Sequence, residues 1–167
     1  KSNLQSILNR LVEKGKITKS DSINFSSQIK WSNKIEDVLD SKLVIEAVIE
    51  NMELKQQIFS KIESLVPNAC IMATNTSSLS VTEIASICSN PSRVLGIHFF
   101  NPAPIMKLVE VIPTDKTDPI LIDDIKLTLK GWDKTVVMAK DTPGFIVNRI
   151  ARPFYVEALR IYDEGIA

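Results

Sequence analysis

The chain has 167 residues, of which 44% are hydrophobic and 24% are charged. This length and composition suit a globular domain with an apolar core and exclude an intrinsically disordered chain. Twenty basic residues balance twenty acidic residues, so no net charge draws the protein to nucleic acid or to a membrane surface. No apolar run reaches the roughly 18 residues that a transmembrane helix requires.

The predicted secondary structure alternates between helices and strands along the chain. Apolar residues at helical spacing predict an amphipathic helix over residues 2–17, with Gly15 as its stop. Ser80, followed by Glu83, predicts a capping box at the start of a later helix. Strands are predicted at 29–32, 43–49, 70–74, 93–100, 107–112 and 134–139, and further helices at 54–66, 80–88, 119–132 and from 143 to the end.

Alternation at this interval predicts an α/β fold with a mostly parallel sheet and helices on its faces. The nearly continuous apolar run at 43–49 is typical of a strand covered on both faces. Ligands of such a sheet bind outside the carboxyl ends of the strands. Polar residues follow three successive strands, at Glu50–Asn51, at Asn75–Ser78 and in the loop at His98. We therefore expect these residues to converge on one rim, with the only histidine of the chain at a binding edge.

Glu110 lies within an apolar predicted strand, where a carboxylate is costly unless it has a partner. If its strand neighbours that of His98, Glu110 accepts a hydrogen bond from one imidazole nitrogen and leaves the other free to exchange a proton. The pattern also permits two simpler interpretations. A lone histidine is commonly a structural imidazole, and Glu110 on an edge strand would face solvent.

Three segments, in this order and spacing, resemble NAD-dependent 3-hydroxyacyl-CoA dehydrogenases. They are "NTSSLSVTEIA", "GIHFFNPAPIMKLVEVI" and "KDTPGFIVNRI". The resemblance extends across essentially the whole chain and implies a Rossmann-like NAD-binding domain over residues 1–140. It further implies that residues 141–167 form the first helix of an all-α C-terminal domain, and that the activity is the oxidation of (3S)-3-hydroxyacyl-CoA to 3-oxoacyl-CoA with NAD.

The resemblance also implies roles for eight residues. His98 matches the catalytic histidine, which takes the proton of the substrate 3-hydroxyl, and Glu110 matches its carboxylate partner. Ser77 matches the serine that hydrogen-bonds the substrate oxygen, and Asn148 matches an asparagine that completes the site. The residues expected at the cofactor are Glu50, Lys55, Asn75 and Asn101.

Several of these residues have ordinary structural interpretations when the resemblance is set aside. Ser77 fits a loop serine that satisfies backbone groups, and Lys55 on helical spacing fits a charge that faces solvent. Thr142 and Pro143 suit the N-cap and the first residue of the last helix, which places Asn148 in its second turn.

The sequence departs from the family pattern near both ends. None of its five glycines is spaced as the G-x-G-x-x-G turn, which brings a pyrophosphate onto backbone amides. We therefore expect an N-terminal strand, glycine-rich turn and helix to be missing, and the 167 residues alone to bind NAD poorly. The last segment is expected to stop within the helical domain that mediates dimerisation in this family.

The parent protein is expected to act in fatty-acid β-oxidation or related acyl-CoA metabolism, as a homodimer, with no nucleic acid, membrane or metal partner. Two alternatives stay open. One is a non-catalytic dinucleotide-binding or structural relative similar to λ-crystallin, and the other is a 3-hydroxyadipyl-CoA dehydrogenase of aromatic degradation. Cys70 and Cys88 lie in apolar contexts and fit buried reduced thiols. They favour a cytoplasmic location, or the mitochondrial matrix if the source is eukaryotic.

Overall fold

The computed structural model describes the backbone of residues 2–167 and the side chains of residues 4–167. The chain divides into two compact units, one that ends at Asp37 and one from Val38 to Ala167. A short 3₁₀ helix spans the division, at Ile35–Val38. The predicted domain boundary after residue 140 stays a prediction.

The first unit contains α1 (Ser2–Glu13) and α2 (Lys19–Ser27). The predicted first helix is thus confirmed, whereas α2 was not predicted. A reciprocal cap begins α2, because the Thr18 hydroxyl accepts from the Asp21 amide and the Asp21 carboxylate accepts from the Thr18 amide, at 3.0 and 2.9 Å. The strand predicted at 29–32 is wrong, since the described residues of this unit form helices and turns that provide no strand to pair with it.

The second unit contains a five-stranded sheet, with helices between all successive strands except β3 and β4. All the strands and helices predicted in this part of the chain are found, with shifts at their ends. The elements are β1 (Leu43–Glu46), α3 (Met52–Leu65), β2 (Ile71–Thr74), α4 (Val81–Ala85), a 3₁₀ helix (Pro91–Arg93), β3 (Val94–Phe99), β4 (Leu108–Pro113), α5 (Pro119–Gly131), β5 (Thr135–Met138) and α6 (Val147–Asp163).

The strands lie in the order β1-β2-β3-β4-β5, and all neighbours are parallel except the antiparallel pair β3 and β4. This confirms the predicted mostly parallel, Rossmann-like sheet. The carboxyl ends of β1, β2 and β3 meet at one edge, together with the start of β4. The central strands and α5 supply the core, which contains Ala73, Leu95, Ile97, Val109, Val111, Ile125 and Leu129.

Two of the shifted element ends have a clear structural cause. β1 ends at Glu46 rather than at residue 49, and its first three residues are only half-buried, because β1 pairs with β2 alone among the described strands. The last helix begins at Val147 rather than at Pro143, since Gly144 and Phe145 have positive φ angles of 76° and 44° that a helix does not allow. Asn148 therefore lies in the first turn of α6 rather than in the second.

Close packing of α4 on the sheet positions the loop that precedes it. A Cβ atom on Gly96 of β3 would lie 2.9 Å from Val81 Cγ2 and 3.0 Å from Ile112 Cβ. Glycine at this position therefore allows the helix to approach the strand. Within residues 2–167, no helix combines the length and the apolar character that membrane crossing requires.

Candidate active site

His98 and Glu110 form a buried pair at the rim of the sheet. The two residues lie directly opposite each other in β3 and β4. His98 Nδ1 is 2.7 Å from Glu110 Oε2, and the residues are 6% and 0% exposed. The predicted hydrogen bond between them is therefore present, and a Glu110 that faces solvent is excluded. Because a carboxylate only accepts, Nδ1 carries the hydrogen, and in the neutral imidazole the Nε2 lone pair is then free to take a proton.

The second oxygen of Glu110 binds the start of α6. Glu110 Oε1 accepts from the backbone amides of Ile146 and Val147, at 2.9 and 3.0 Å. Sequence reasoning missed this contact. The partial positive charge of a helix N-terminus stabilises the Glu110 carboxylate. On the other side of the pair, the ring centres of Phe100 and Phe145 lie 4.6 and 5.7 Å from that of the His98 imidazole. Glu110 thus fixes both the His98 ring and the first turn of α6.

Ser77 lies in the loop after β2, where Glu50 holds it. Glu50 Oε1 accepts from the Ser77 amide at 2.6 Å and from the Ser77 hydroxyl at 3.0 Å. The Thr76 hydroxyl lies 2.9 and 3.1 Å from the two Glu50 oxygens. Partial burial raises the pKa of Glu50, but the bonds from Ser77 and Thr76 and the Lys55 ammonium outweigh it, so this pKa lies below its ordinary value of 4.5. The carboxylate is therefore ionised at neutral pH.

Asn148 joins the Ser77 loop to α6. Its side-chain amide donates to the Ser77 backbone oxygen at 3.3 Å. Its neighbour Val147 donates to Glu110, so the first turn of α6 contacts both the Ser77 loop and the His98–Glu110 pair. The four residues predicted to be catalytic thus lie in one connected cluster.

Lys55 is buried rather than solvent-facing, with an exposed fraction of 1%. Its ammonium contacts Glu46 Oε1 at 2.7 Å and Glu50 Oε2 at 3.4 Å. Sequence reasoning missed Glu46, whose other oxygen accepts from the Thr74 hydroxyl at 2.7 Å. A carboxylate within an apolar strand was the available signal, and it is the same signal that singled out Glu110.

The two predicted cofactor asparagines lie at the ends of β2 and β3. Asn75 Oδ1 accepts from the Phe99 amide at 2.9 Å and so ties the two strand ends together. Asn101 is exposed in the loop after β3, where the Asn101–Pro102 peptide is cis. The predicted convergence of polar residues on one rim is confirmed for the ends of β1, β2 and β3.

Asp141, also missed by sequence reasoning, holds the segment between β5 and α6. Its carboxylate accepts from the Ser80 hydroxyl and from the amides of Val81 and Thr82, at 2.9, 3.0 and 2.8 Å. Burial raises the pKa of Asp141, but these hydrogen bonds outweigh it, so the pKa lies below its ordinary value. The Ser80 oxygen also accepts from the Glu83 amide at 3.1 Å, so Ser80 caps α4 as predicted. The reciprocal bond from the Ser80 amide to the Glu83 side chain, which a full capping box requires, is not formed.

A family model described as the NAD-binding domain of 3-hydroxyacyl-CoA dehydrogenase matches residues 1–142. The chain belongs to the 3-hydroxyacyl-CoA dehydrogenase family. This match confirms the resemblance carried by the sequence motifs, and it makes NAD the cofactor of the domain.

Individual relatives agree with this assignment. The chain is 43% identical over 160 residues to a 3-hydroxybutyryl-CoA dehydrogenase from Clostridioides difficile, across 96% of this chain and 57% of that protein. It is 42% identical over 161 residues to a 3-hydroxyadipyl-CoA dehydrogenase from Escherichia coli, across 96% and 34% of the two chains. The crystal structure of an (S)-3-hydroxybutyryl-CoA dehydrogenase from Ralstonia eutropha matches with a TM-score of 0.95 and 38% identity, across 99% and 59%. The chain thus spans between 34% and 59% of the length of these three relatives.

Proposed function

We propose that the protein containing this chain oxidises (3S)-3-hydroxyacyl-CoA to 3-oxoacyl-CoA with NAD. The observation that carries this proposal is the buried His98–Glu110 pair, with a bond between Nδ1 and the carboxylate and a free Nε2 atom. Ser77 and Asn148 lie in the same connected cluster. The names of the relatives, two 3-hydroxybutyryl-CoA dehydrogenases and one 3-hydroxyadipyl-CoA dehydrogenase, agree with this chemistry.

In this proposal, His98 Nε2 accepts the proton of the substrate 3-hydroxyl as the carbonyl forms. Glu110 stabilises the resulting imidazolium through Nδ1–H, and it holds the ring in the orientation that exposes Nε2. NAD, when bound, supplies the acceptor for the hydride from C3. The Ser77 hydroxyl turns its hydrogen from Glu50 to the reacting oxygen, while the Ser77 amide stays bound to Glu50. Asn148 completes the site beside it. A positioned general base contributes about 10²- to 10⁴-fold in rate.

The described residues fit the nicotinamide end of the cofactor. Glu50 offers an exposed, ionised carboxylate that suits ribose hydroxyls, and Asn75 and Asn101 lie on the adjacent loops. We include Lys55 among the residues of the cofactor site because its ammonium contacts Glu50. None of the described glycines forms the turn that the pyrophosphate requires.

We further propose that the protein acts in fatty-acid β-oxidation or related acyl-CoA metabolism, in the cytoplasm, as a homodimer. Buried free thiols at Cys70 and Cys88 support a reducing compartment. Apolar side chains exposed along α6 support burial of this helix in the dimer-forming domain, and among them Phe154 is 74% exposed. The 3-hydroxyadipyl-CoA reaction is a second candidate, favoured by the name of the Escherichia coli relative.

The test is NADH oxidation with acetoacetyl-CoA by the full-length protein. We expect His98→Gln to lower kcat at least about 100-fold while the Kd for NADH changes little, and the matched variant Lys126→Gln on α5 to behave as wild type. A His98→Gln variant with wild-type turnover would refute the assignment of the base. A wild-type protein that binds NADH but turns over neither acetoacetyl-CoA nor 3-oxoadipyl-CoA would instead support the structural or non-catalytic alternative.

A further inference from the structure

Protein acceptors surround the Lys55 ammonium. Nζ donates hydrogen bonds to Glu46 Oε1 at 2.7 Å and to the Val48 carbonyl at 3.4 Å, and it forms an ion pair with Glu50 Oε2 at 3.4 Å. The side chain is 1% exposed. Because the Lys55 side chain is enclosed by the protein, its effect on the site passes through its protein partners.

Glu46 fixes the position of that buried cation. Its Oε1 atom also accepts from the Val48 amide at 2.6 Å, and its Oε2 atom accepts from the Thr74 hydroxyl at 2.7 Å. Glu46 is therefore anchored to β2 and to the turn after β1. Because an unpaired charge in the interior is costly, the Lys55 ammonium stays where Glu46 holds it.

Glu50 connects the Glu46–Lys55 ion pair to Ser77 at the rim of the sheet. Its Oε2 atom faces the Lys55 ammonium, and its Oε1 atom accepts from the amide and the hydroxyl of Ser77. We propose that Glu46 and Lys55 are positioning residues, whose buried ion pair fixes the Glu50 carboxylate so that it holds Ser77 at the rim. The importance of Ser77 to the reaction rests on the proposed function, whereas the placement of Glu50 does not.

A buried ion pair adds little net stability over an apolar pair of similar volume. Stability measurements on single and double variants can therefore distinguish a positioning role of the Glu46–Lys55 ion pair from a purely structural role. Loss of one partner leaves a buried charge, and loss of both partners removes that cost. Only a positioning role predicts that the Ser77 loop is altered after stability has been restored.

The experiment compares Glu46→Gln, Lys55→Met and the double variant in the full-length protein. Glu63→Gln is the matched control, because Glu63 also lies on α3, contacts buried Arg93 and accepts from two backbone amides. Glu63 lies near the C-terminal end of α3, whereas Lys55 lies near its N-terminal end. The readouts are urea unfolding, the pH titration of the Ser77 amide resonance, and kcat with acetoacetyl-CoA and NADH. The amide resonance reports Glu50 directly, because the Ser77 amide donates to it.

The two single variants are expected to move the titration in opposite directions. In Lys55→Met the attraction that lowers the pKa of Glu50 is lost, so the midpoint moves to higher pH. In Glu46→Gln the ammonium keeps Glu50 as its carboxylate partner and a like charge is removed, so the midpoint moves to lower pH. In Glu63→Gln the midpoint stays at the wild-type value.

The double variant is expected to regain most of the stability lost by the single variants, to keep the higher midpoint, and to have a kcat about 10-fold or more below wild type. An unchanged midpoint in every variant would overturn the proposal, and so would a double variant that regains wild-type kcat together with stability. If the wild-type protein lacked dehydrogenase activity, the proposed function would fail, but the shifts of the Ser77 titration would still decide whether the ion pair places Glu50.

Discussion

Glu110→Gln is predicted to inactivate the site by reversing the tautomer of His98. A glutamine has one oxygen acceptor and one NH₂ donor where the carboxylate has two acceptors. In the wild-type protein, Oε1 accepts from the amides of Ile146 and Val147, and Oε2 accepts from His98. The variant must therefore choose which of these two positions its oxygen occupies.

The two backbone amides decide that choice. If the NH₂ group faced them, the partly buried amides of Ile146 and Val147 would lose their acceptor and face a donor, at a cost of about 1–3 kcal/mol each. The sum of about 2–6 kcal/mol strongly favours the opposite orientation, in which the NH₂ group donates to His98 Nδ1. That nitrogen must then accept, so the hydrogen moves to Nε2 and the base has no lone pair for the substrate proton.

The assay combines histidine ¹⁵N resonances with steady-state kinetics. In Glu110→Gln, we expect the His98 Nδ1 resonance to move to the chemical shift of an unprotonated nitrogen and the Nε2 resonance to that of a protonated nitrogen. Comparison with His98→Gln assigns these resonances. We also expect kcat to fall about 10²- to 10⁴-fold. Asp141→Asn, which also replaces a carboxylate that caps a helix, serves as the control and should keep the wild-type tautomer. A Glu110→Gln variant with the Nδ1–H tautomer, or with kcat within a few-fold of wild type, would refute this reasoning.

Three further predictions concern stability and reactivity. Asp141→Asn should lower the free energy of urea unfolding by about 1 kcal/mol at pH 7. The pKa of Asp141 is lowered in the folded state, so this difference in stability should shrink as the pH falls below about 4 and the wild-type carboxylate is protonated. Gly96→Ala should reduce stability by about 1–3 kcal/mol in thermal unfolding, since the new methyl group overlaps Val81 and Ile112, and an unchanged Tm would contradict the close approach of α4. Burial raises the pKa of Cys88 to about 11, so iodoacetamide at pH 8 should label this thiol in urea but not in the native protein, as measured by mass spectrometry.

The fold of the second unit was predictable because its strands are short apolar runs that end in polar turn residues. The errors occurred where local pattern and tertiary context disagree. Residues 29–32 have strand-forming side chains, but the described residues of the first unit include no strand with which they could pair. Pro143 suits a helix start by composition, but Gly144 and Phe145 adopt positive φ angles and delay the helix. Helix α2 lacks a clear apolar period and begins at a cap formed by polar side chains.

The sequence predicted the hydrogen bond between His98 and Glu110 on the condition that their two strands are neighbours in the sheet. The contacts of Glu46 and Asp141 were not predicted. Glu46 binds a threonine 28 residues away, and Asp141 binds helix amides about 60 residues away. A carboxylate at the end of a strand carries no local sign of which distant donors it will meet.

By itself, the sequence determined the alternation of strands and helices, the family, and the residue types present at the rim. Apolar periodicity and turn residues act over a few positions, so they are visible along the chain. Only the tertiary structure decided that Lys55 is buried, that Glu110 binds a histidine and a helix at once, and that Asn148 meets Ser77. These features depend on hydrogen bonds and desolvation between segments that are far apart in sequence, and such interactions exist only once the sheet has assembled.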